Sequence, residues 1–231
     1  MPIEFVRDNL DIEQKAPLKD SLYEAFRKSI ILGEIPVGHR INEQEFSEQL
    51  NISRTPIRHA MQMLQEDNLV QHVPRSGNIV IGLSVQDVYE IFDVRNSLDT
   101  LATLRAMEKM TDEDYKELKL LLEEAEVLNE TGDVEGLIQN FMDHSDFIYT
   151  KSEMFRTRKI VRELRNYYRY FQSITFVDKG IRTQSIKEHW VLYEAMRSGD
   201  INKINHLMTG HINDTLESVI ELMKLRDNDL Q

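Results

Sequence analysis

Apolar side chains recur three and four residues apart through most of this chain, the spacing of helices that bury one face. Leu18, Leu22, Ala25, Phe26, Ile30 and Ile31 predict a helix over about 17–32, ended by Gly33. The segment GEIPVGHRI (33–41) predicts a turn and a short strand. Phe46 and Leu50 lie one turn apart and predict a helix over 45–50. Asn51-Ile52-Ser53 follows as a tight turn, with Ser53 placed to cap the next helix. That helix is predicted over 54–67, with Pro56 in its first turn and Ile57, Ala60, Met61 and Leu64 as its apolar stripe. Leu69 to His72 and Asn78 to Ile81 predict two strands around Pro74-Arg75-Ser76-Gly77, a wing.

Beyond Leu83-Ser84 the pattern is helical throughout. Helices are predicted over 84–110, 112–130, 134–151, 155–176, 181–198 and 201–226. Thr111 and Asp114 form a capping-box pattern, while Gly132-Asp133, Gly180 and Ser198-Gly199-Asp200 punctuate the run. Residues 1–14 are polar, acidic and aperiodic, and predict a flexible arm. The expected fold is therefore mainly α: a winged helix-turn-helix over 15–82, then an all-α antiparallel helical bundle over 83–231. The short junction predicts two domains held close.

Composition narrows the class. With 231 residues, 41% of them hydrophobic, the chain suffices for two modest cores. No apolar run is long enough to span a bilayer, and no signal-peptide pattern opens the chain. The absence of cysteine excludes disulfides and thiolate metal sites, and suits a cytoplasmic protein. The net charge of −12 argues against nucleic acid only until it is mapped. Residues 15–82 carry eight basic and eight acidic side chains, whereas 83–231 carry 28 acidic against 19 basic. The excess acid lies away from the winged segment, where it weakens non-specific phosphate binding.

Arg54, Thr55 and Arg58 stand at the start of the second helix of the pair, off its apolar stripe. A recognition helix offers such N-terminal residues to the major groove, and the arginine fork suits guanine or a phosphate. Arg75 can reach a phosphate or the minor groove, and Gly77 permits close backbone approach. By shape and charge alone, solvated arginines or a protein-docking surface fit the same residues.

The wider pattern decides more. Ile30, Gly33, Gly38, Arg40, Glu43, Leu50, Ile52 to Arg58, Ala60, Met61, Leu64, Leu69, Val70, Pro74, Gly77 and Val80 together resemble the GntR superfamily of bacterial transcription regulators. The helical remainder resembles the FadR-type ligand-binding domain, known as FCD, through Val94 to Asp99, Phe141 to His144, Glu188-His189, Gly199-Asp200 and His211-Ile212. The resemblance implies a homodimer that binds a palindromic operator, commonly as a repressor, and responds to a small metabolite. It assigns DNA contacts to Arg40, Arg54, Thr55, Arg58, Arg75, Ser76 and Gly77.

The resemblance also implies a divalent metal, held by an Asp and a His four residues apart on one helix and by one His from each of two others. His144, His189 and His211 match, but Asn140 stands where the aspartate is expected. Three imidazoles suit Zn foremost, with Ni, Cu or Fe as alternatives, and leave coordination positions open. The amide is a weaker, uncharged ligand, so the site is more positive and favours an anion. Ordinary helix histidines, bonded locally, are the competing reading.

An organic acid is the implied effector, with Arg95 taking a second carboxylate or, alternatively, pairing with a neighbouring acid. Arg162, Arg165, Tyr168 and Arg169 are further candidates whose facing the spacing leaves open. Asp143 and Asp146 fall on other helix faces than His144. The sequence lacks an H-E-x-x-H motif, a positioned base and a serine elbow, so no enzymatic role is expected. A helical metalloenzyme with an accessory DNA-binding segment, or a winged-helix interaction module, are the alternatives.

Overall fold

The computed structural model describes residues 2–10 and 17–229, leaving aside the side chains of 211–215 and 225–229. The described chain divides into two compact units, Met1–Ser84 and Val85–Gln231.

The first unit is built on α2 (Leu18–Ile31), α3 (Glu43–Leu50) and α4 (Arg54–Glu66). Leu22, Phe26 and Ile30 of α2 meet Phe46 of α3 and Ile57, Met61 and Leu64 of α4 in a core that excludes water. The Phe26 and Phe46 rings pack 5.0 Å apart. Each such side chain contributes about 1.5–3 kcal/mol by leaving water. Strands β1 (Arg40–Ile41), β2 (Val70–Val73) and β3 (Gly77–Val80) form an antiparallel sheet in the order β1-β3-β2. Arg40 pairs with Ile79, and Val73 with Gly77 at the turn of the wing.

Helix α3 begins two residues before its sequence pattern because Asn42 caps it, accepting from the N–H groups of Gln44 and Glu45. Asn51, at φ +56°, makes the left-handed turn that an asparagine tolerates. Ser53 occupies the N-cap position of α4, but its hydroxyl makes no capping bond, contrary to expectation.

The N-terminal arm needs a larger correction. Residues Pro2–Asn9 form a helix, α1, that buries Ile3 and Val6 and packs on α2. Arg7 donates to the Gln49 carbonyl at 2.9 Å, and Asn9 donates to Ser29 and Glu34. Eight residues with two apolar anchors are too few for periodicity to register. Residues 11–14 of the expected arm lie outside the described residues.

The second unit is a six-helix antiparallel bundle among the described residues: α5 (Val85–Met107), α6 (Asp112–Thr131), α7 (Val134–Lys151), α8 (Phe155–Thr175), α9 (Lys179–Ser198) and α10 (Ile201–Asp229). Thr111 and Asp114 form the expected capping box, and Gly132 and Gly199 close α6 and α9 in the left-handed conformation. Gly180 does not break the chain. Asp178 accepts from the N–H groups of Gly180 and Ile181, so α9 starts at Lys179 with the glycine in its first turn. Helix α5 packs against α7, α8, α9 and α10, and α6 against α7 and α9. No described helix is long and apolar enough to cross a membrane.

Candidate nucleic-acid interface and ligand cavity

The amphipathic pattern of α4 turns Ile57, Ala60, Met61 and Leu64 inward, which leaves Arg54, Thr55 and Arg58 exposed at its N-terminal end. Arg58 reaches back to α3, where its Nε lies 3.5 Å from a Glu43 carboxylate oxygen. The other Glu43 oxygen accepts from the buried Asn78 side chain of β3 at 3.1 Å. Asn78 also meets Gln65 and His72, so one polar cluster ties α3, α4 and the wing together. Gly77, the preceding residue, has φ +84°, and a methyl group added there would lie 3.8 Å from Arg40 Nε. Arg75 is exposed at φ +69°, and Ser76 is half-buried beside it. The fold thus gathers Arg58, Arg40 and Gly77 through short contacts, with Arg54 one turn from Arg58.

In the helical unit a cavity of about 110 Å³ lies among α5, α7, α8, α9 and α10. His144 of α7 and His189 of α9 both line it. Their ring centres are 4.9 Å apart, nearly perpendicular, and His189 stacks on Phe141 at 4.4 Å. His189 Nδ1 lies 2.8 Å from the Ser185 carbonyl, which fixes that nitrogen as the donor and Nε2 as the nitrogen carrying the lone pair. Arg95 of α5 also lines the cavity, over the Tyr168 ring, 5.0 Å from its centre, and binds Asp99 at 3.2 Å. Asp99 also accepts from the Tyr149 hydroxyl at 2.9 Å. Burial, then the adjacent Asp99 charge, pushes the Tyr149 hydroxyl well above the ordinary phenol range, so it stays protonated and donates.

Two family models match the chain. That of the bacterial regulatory proteins of the gntR family covers residues 18–80, and that of the FCD domain covers 90–214. The chain belongs to the gntR family of regulators that carry an FCD domain. The uncharacterized HTH-type transcriptional regulator YdhC of Bacillus subtilis is 23% identical over 94% of this chain and 97% of its own length. The HTH-type transcriptional repressor RspR of Escherichia coli is 20% identical over 89% of this chain and 90% of its own. Among solved structures, E. coli McbR/YncC superposes with a TM-score of 0.65, at 22% identity, over 89% of this chain and 98% of that one, which shows the shared fold. Members of this family are DNA-binding transcriptional regulators, not enzymes, so the metalloenzyme alternative falls.

In this regulator the four residues expected to hold a metal are not equally placed. His144 and Asn140 are buried one turn apart on α7, and the His189 ring meets that of His144 edge-on. The side chain of His211, on α10, lies outside the described residues. Among the described residues no group of three His, Asp or Glu side chains forms a metal shell. Asn140 donates from Nδ2 to the Leu121 carbonyl and to Glu124, both at 3.0 Å. Its Oδ1, the one atom of an amide that binds a cation well, is buried without a hydrogen-bond partner. That orphaned oxygen and the His189 tautomer fit a cation. The Asn140 amide is also matched to Glu124, which an aspartate in its place would repel.

Other assignments sort by depth. Arg95 lines the cavity and pairs with Asp99 four residues on, the neighbouring acid offered as its alternative partner. Arg165, Tyr168 and Arg169 line the cavity, whereas Arg162 is half-exposed and binds Asp146. Sequence reasoning did not single out Asp99 and Tyr149. The i, i+4 spacing of Arg95 and Asp99 was the available signal for one, but nothing local ties Tyr149 to Asp99 fifty residues away.

Proposed function

We propose that this regulator is a repressor that grips a palindromic operator as a homodimer in the cytoplasm, and that a small carboxylate entering its helical domain alters the grip. Arg40, Arg54, Thr55, Arg58, Arg75, Ser76 and Gly77 meet DNA, the α4 residues at base edges and the wing at the backbone. The repressor reading leans on RspR, named a transcriptional repressor. The observation that carries the effector reading is the cavity with the His144–His189 pair on one wall and Arg95 on another.

A divalent metal, zinc foremost, is held by Asn140, His144, His189 and His211; when bound it supplies a Lewis-acid anchor for a carboxylate. The Ser185 carbonyl orients His189, and Arg95, braced by Asp99 and Tyr168, takes an anionic group of the ligand. The ligand acts only through different affinities for two arrangements of the bundle.

The test begins with duplexes selected from a random library. The protein is then assayed for metal content and for release of the selected duplex by small acids. About one metal ion per chain is expected, falling to none in His189→Ala. A wild-type response to acids in a metal-free His189→Ala would refute the histidine site. Failure to enrich a palindrome would refute the operator reading.

Glu43 gives a second expectation. Glu43→Gln keeps an acceptor for Asn78 but removes a negative charge beside Arg58. Duplex affinity should rise about 2–5-fold at low salt, with the gain fading as salt increases. Fluorescence anisotropy checks this, and weaker binding would show that the pair mainly positions Arg58.

A further inference from the structure

We infer that helix α1 is a working part of the DNA reader, in which Arg7 braces the turn ahead of α4 and so sets how the recognition helix is presented. This rests on the reading of α4 as the element that meets DNA, and adds a positioning residue from outside the helix-turn-helix and its wing. Helix α1 lies ahead of residues 18–80, the span of the gntR match, and carries none of the residues expected to touch DNA.

The need for a brace is visible at the turn itself. The last carbonyls of a helix have no partner within it. In α3 the Ser47 carbonyl accepts from the Ile52 N–H at 3.1 Å, and the Glu48 carbonyl from the Asn51 N–H at 3.4 Å. The Ser47 hydroxyl donates to the Ile52 carbonyl at 2.6 Å. The next carbonyl along, that of Gln49, takes its bond from outside: Arg7 Nη2 donates to it at 2.9 Å. On the far side of the turn the local device is missing, since the Ser53 hydroxyl at the N-cap of α4 makes no capping bond. Asn51, Ile52 and Ser53 alone separate the two helices, so whatever fixes the end of α3 fixes the start of α4.

Helix α1 is anchored well enough to serve. Ile3 and Val6 are buried, and the helix packs on both α2 and α3. Asn9 at its end donates to the hydroxyl of the buried Ser29 at 2.9 Å and to Glu34 at 2.8 Å, on α2 and the turn after it.

Charge favours a brace over a phosphate contact. Helix α1 sets Glu4 and Asp8 against Arg7 alone, so it offers a DNA backbone no net positive charge. Helix α3 has acids in its first turn and no basic residue in its last, where a cation offsets the helix dipole. Arg7 supplies that cation from a second helix. A brace acts by raising the fraction of free protein already in the arrangement that a specific site requires. Non-specific binding to phosphate is electrostatic and does not demand that arrangement. The two kinds of binding therefore separate a brace from a phosphate contact.

The test is fluorescence anisotropy of the full chain on the selected duplex and on one of scrambled sequence, at several salt concentrations. Arg7→Ala is expected to weaken binding to the selected duplex about 3–10-fold, and to leave the scrambled duplex and both salt slopes unchanged. Arg7→Lys, which keeps a cation and a donor for the same carbonyl, should recover most of the loss. Wild-type affinity for the selected duplex in Arg7→Ala would overturn the inference even if the melting temperature fell, because a merely structural contact moves stability alone. A salt slope reduced by about one, with an equal loss on the scrambled duplex, would also overturn it, since that is the mark of a phosphate contact. Arg7 is exposed, so Arg7→Ala is expected to fold, and circular dichroism checks this. Should it not fold, Arg7→Gln, shorter and uncharged, is read by the same criteria. A chain that enriches no duplex removes the DNA reading itself, whereas an enriched duplex bound equally by wild type and Arg7→Ala removes only the brace.

Discussion

Replacing Arg54 and Arg58 together with alanine is expected to weaken binding to the selected duplex by about 10²- to 10⁴-fold. Each well-formed arginine contact to a base edge or phosphate is worth about 1–3 kcal/mol, and the double variant removes two per chain. The fold should hardly notice. Both side chains are exposed and off the apolar stripe of α4, and exposed substitutions away from caps and cores usually cost no more than about 0.5 kcal/mol. Salt separates the roles of the two residues. A residue that meets phosphate lowers the slope of log affinity against log salt by about one when removed, whereas a base reader relaxes preference at one position of the site. Anisotropy titrations of the two single variants and the double variant, at several salt concentrations, measure both quantities. A folded double variant that retains wild-type affinity would remove α4 as the reader of DNA.

How far the sequence discloses this molecule depends on how local each cause is. The stripe Ile57, Ala60, Met61 and Leu64 is a property of one helix, and both its period and its inward face were legible. The capping box of α6 needs only Thr111 and Asp114, and it too was legible. Ser53 shows the limit of such rules: the right residue stands at the right position, but its hydroxyl makes no capping bond there. Helix α1 shows the opposite failure. Its stability comes from burying Ile3 and Val6 on α2, a tertiary gain that an eight-residue pattern cannot announce.

The cavity was legible in kind and not in detail. Asn140 was recognisable as a departure, but the two acceptors of its amide, the Leu121 carbonyl and the Glu124 carboxylate, lie on another helix. The arginines at 158, 162, 165 and 169 are spaced three and four apart, so they share one face of α8. Spacing therefore could not rank them. Depth was decided by α7: Asp146 and the Met142 carbonyl draw Arg165 inward, while Arg162 meets the same carboxylate from the half-exposed side.

That shared carboxylate sets up the second large effect. Asp146→Asn is expected to destabilise the helical domain by about 2–4 kcal/mol, and so to lower its melting temperature by roughly 5–15 °C. The substitution keeps the shape but leaves Arg158, Arg162 and Arg165 facing one another, with Arg165 buried. The cost falls below the ~3–5 kcal/mol of a fully buried pair because Arg162 is half in water and its share is screened. Burial pushes the Asp146 carboxyl up, but hydrogen bonds from Arg162, Arg158 and Arg165 outweigh it and hold the group well below the ordinary carboxylate range. A group with a depressed folded-state pKa stabilises fully above its unfolded value, about 3.9, and loses that stabilisation as the pH falls below it. Wild-type melting temperature should therefore fall more steeply than that of Asp146→Asn as pH drops below about 4, and the two curves should converge. Parallel curves would show that Asp146 is not the titrating group.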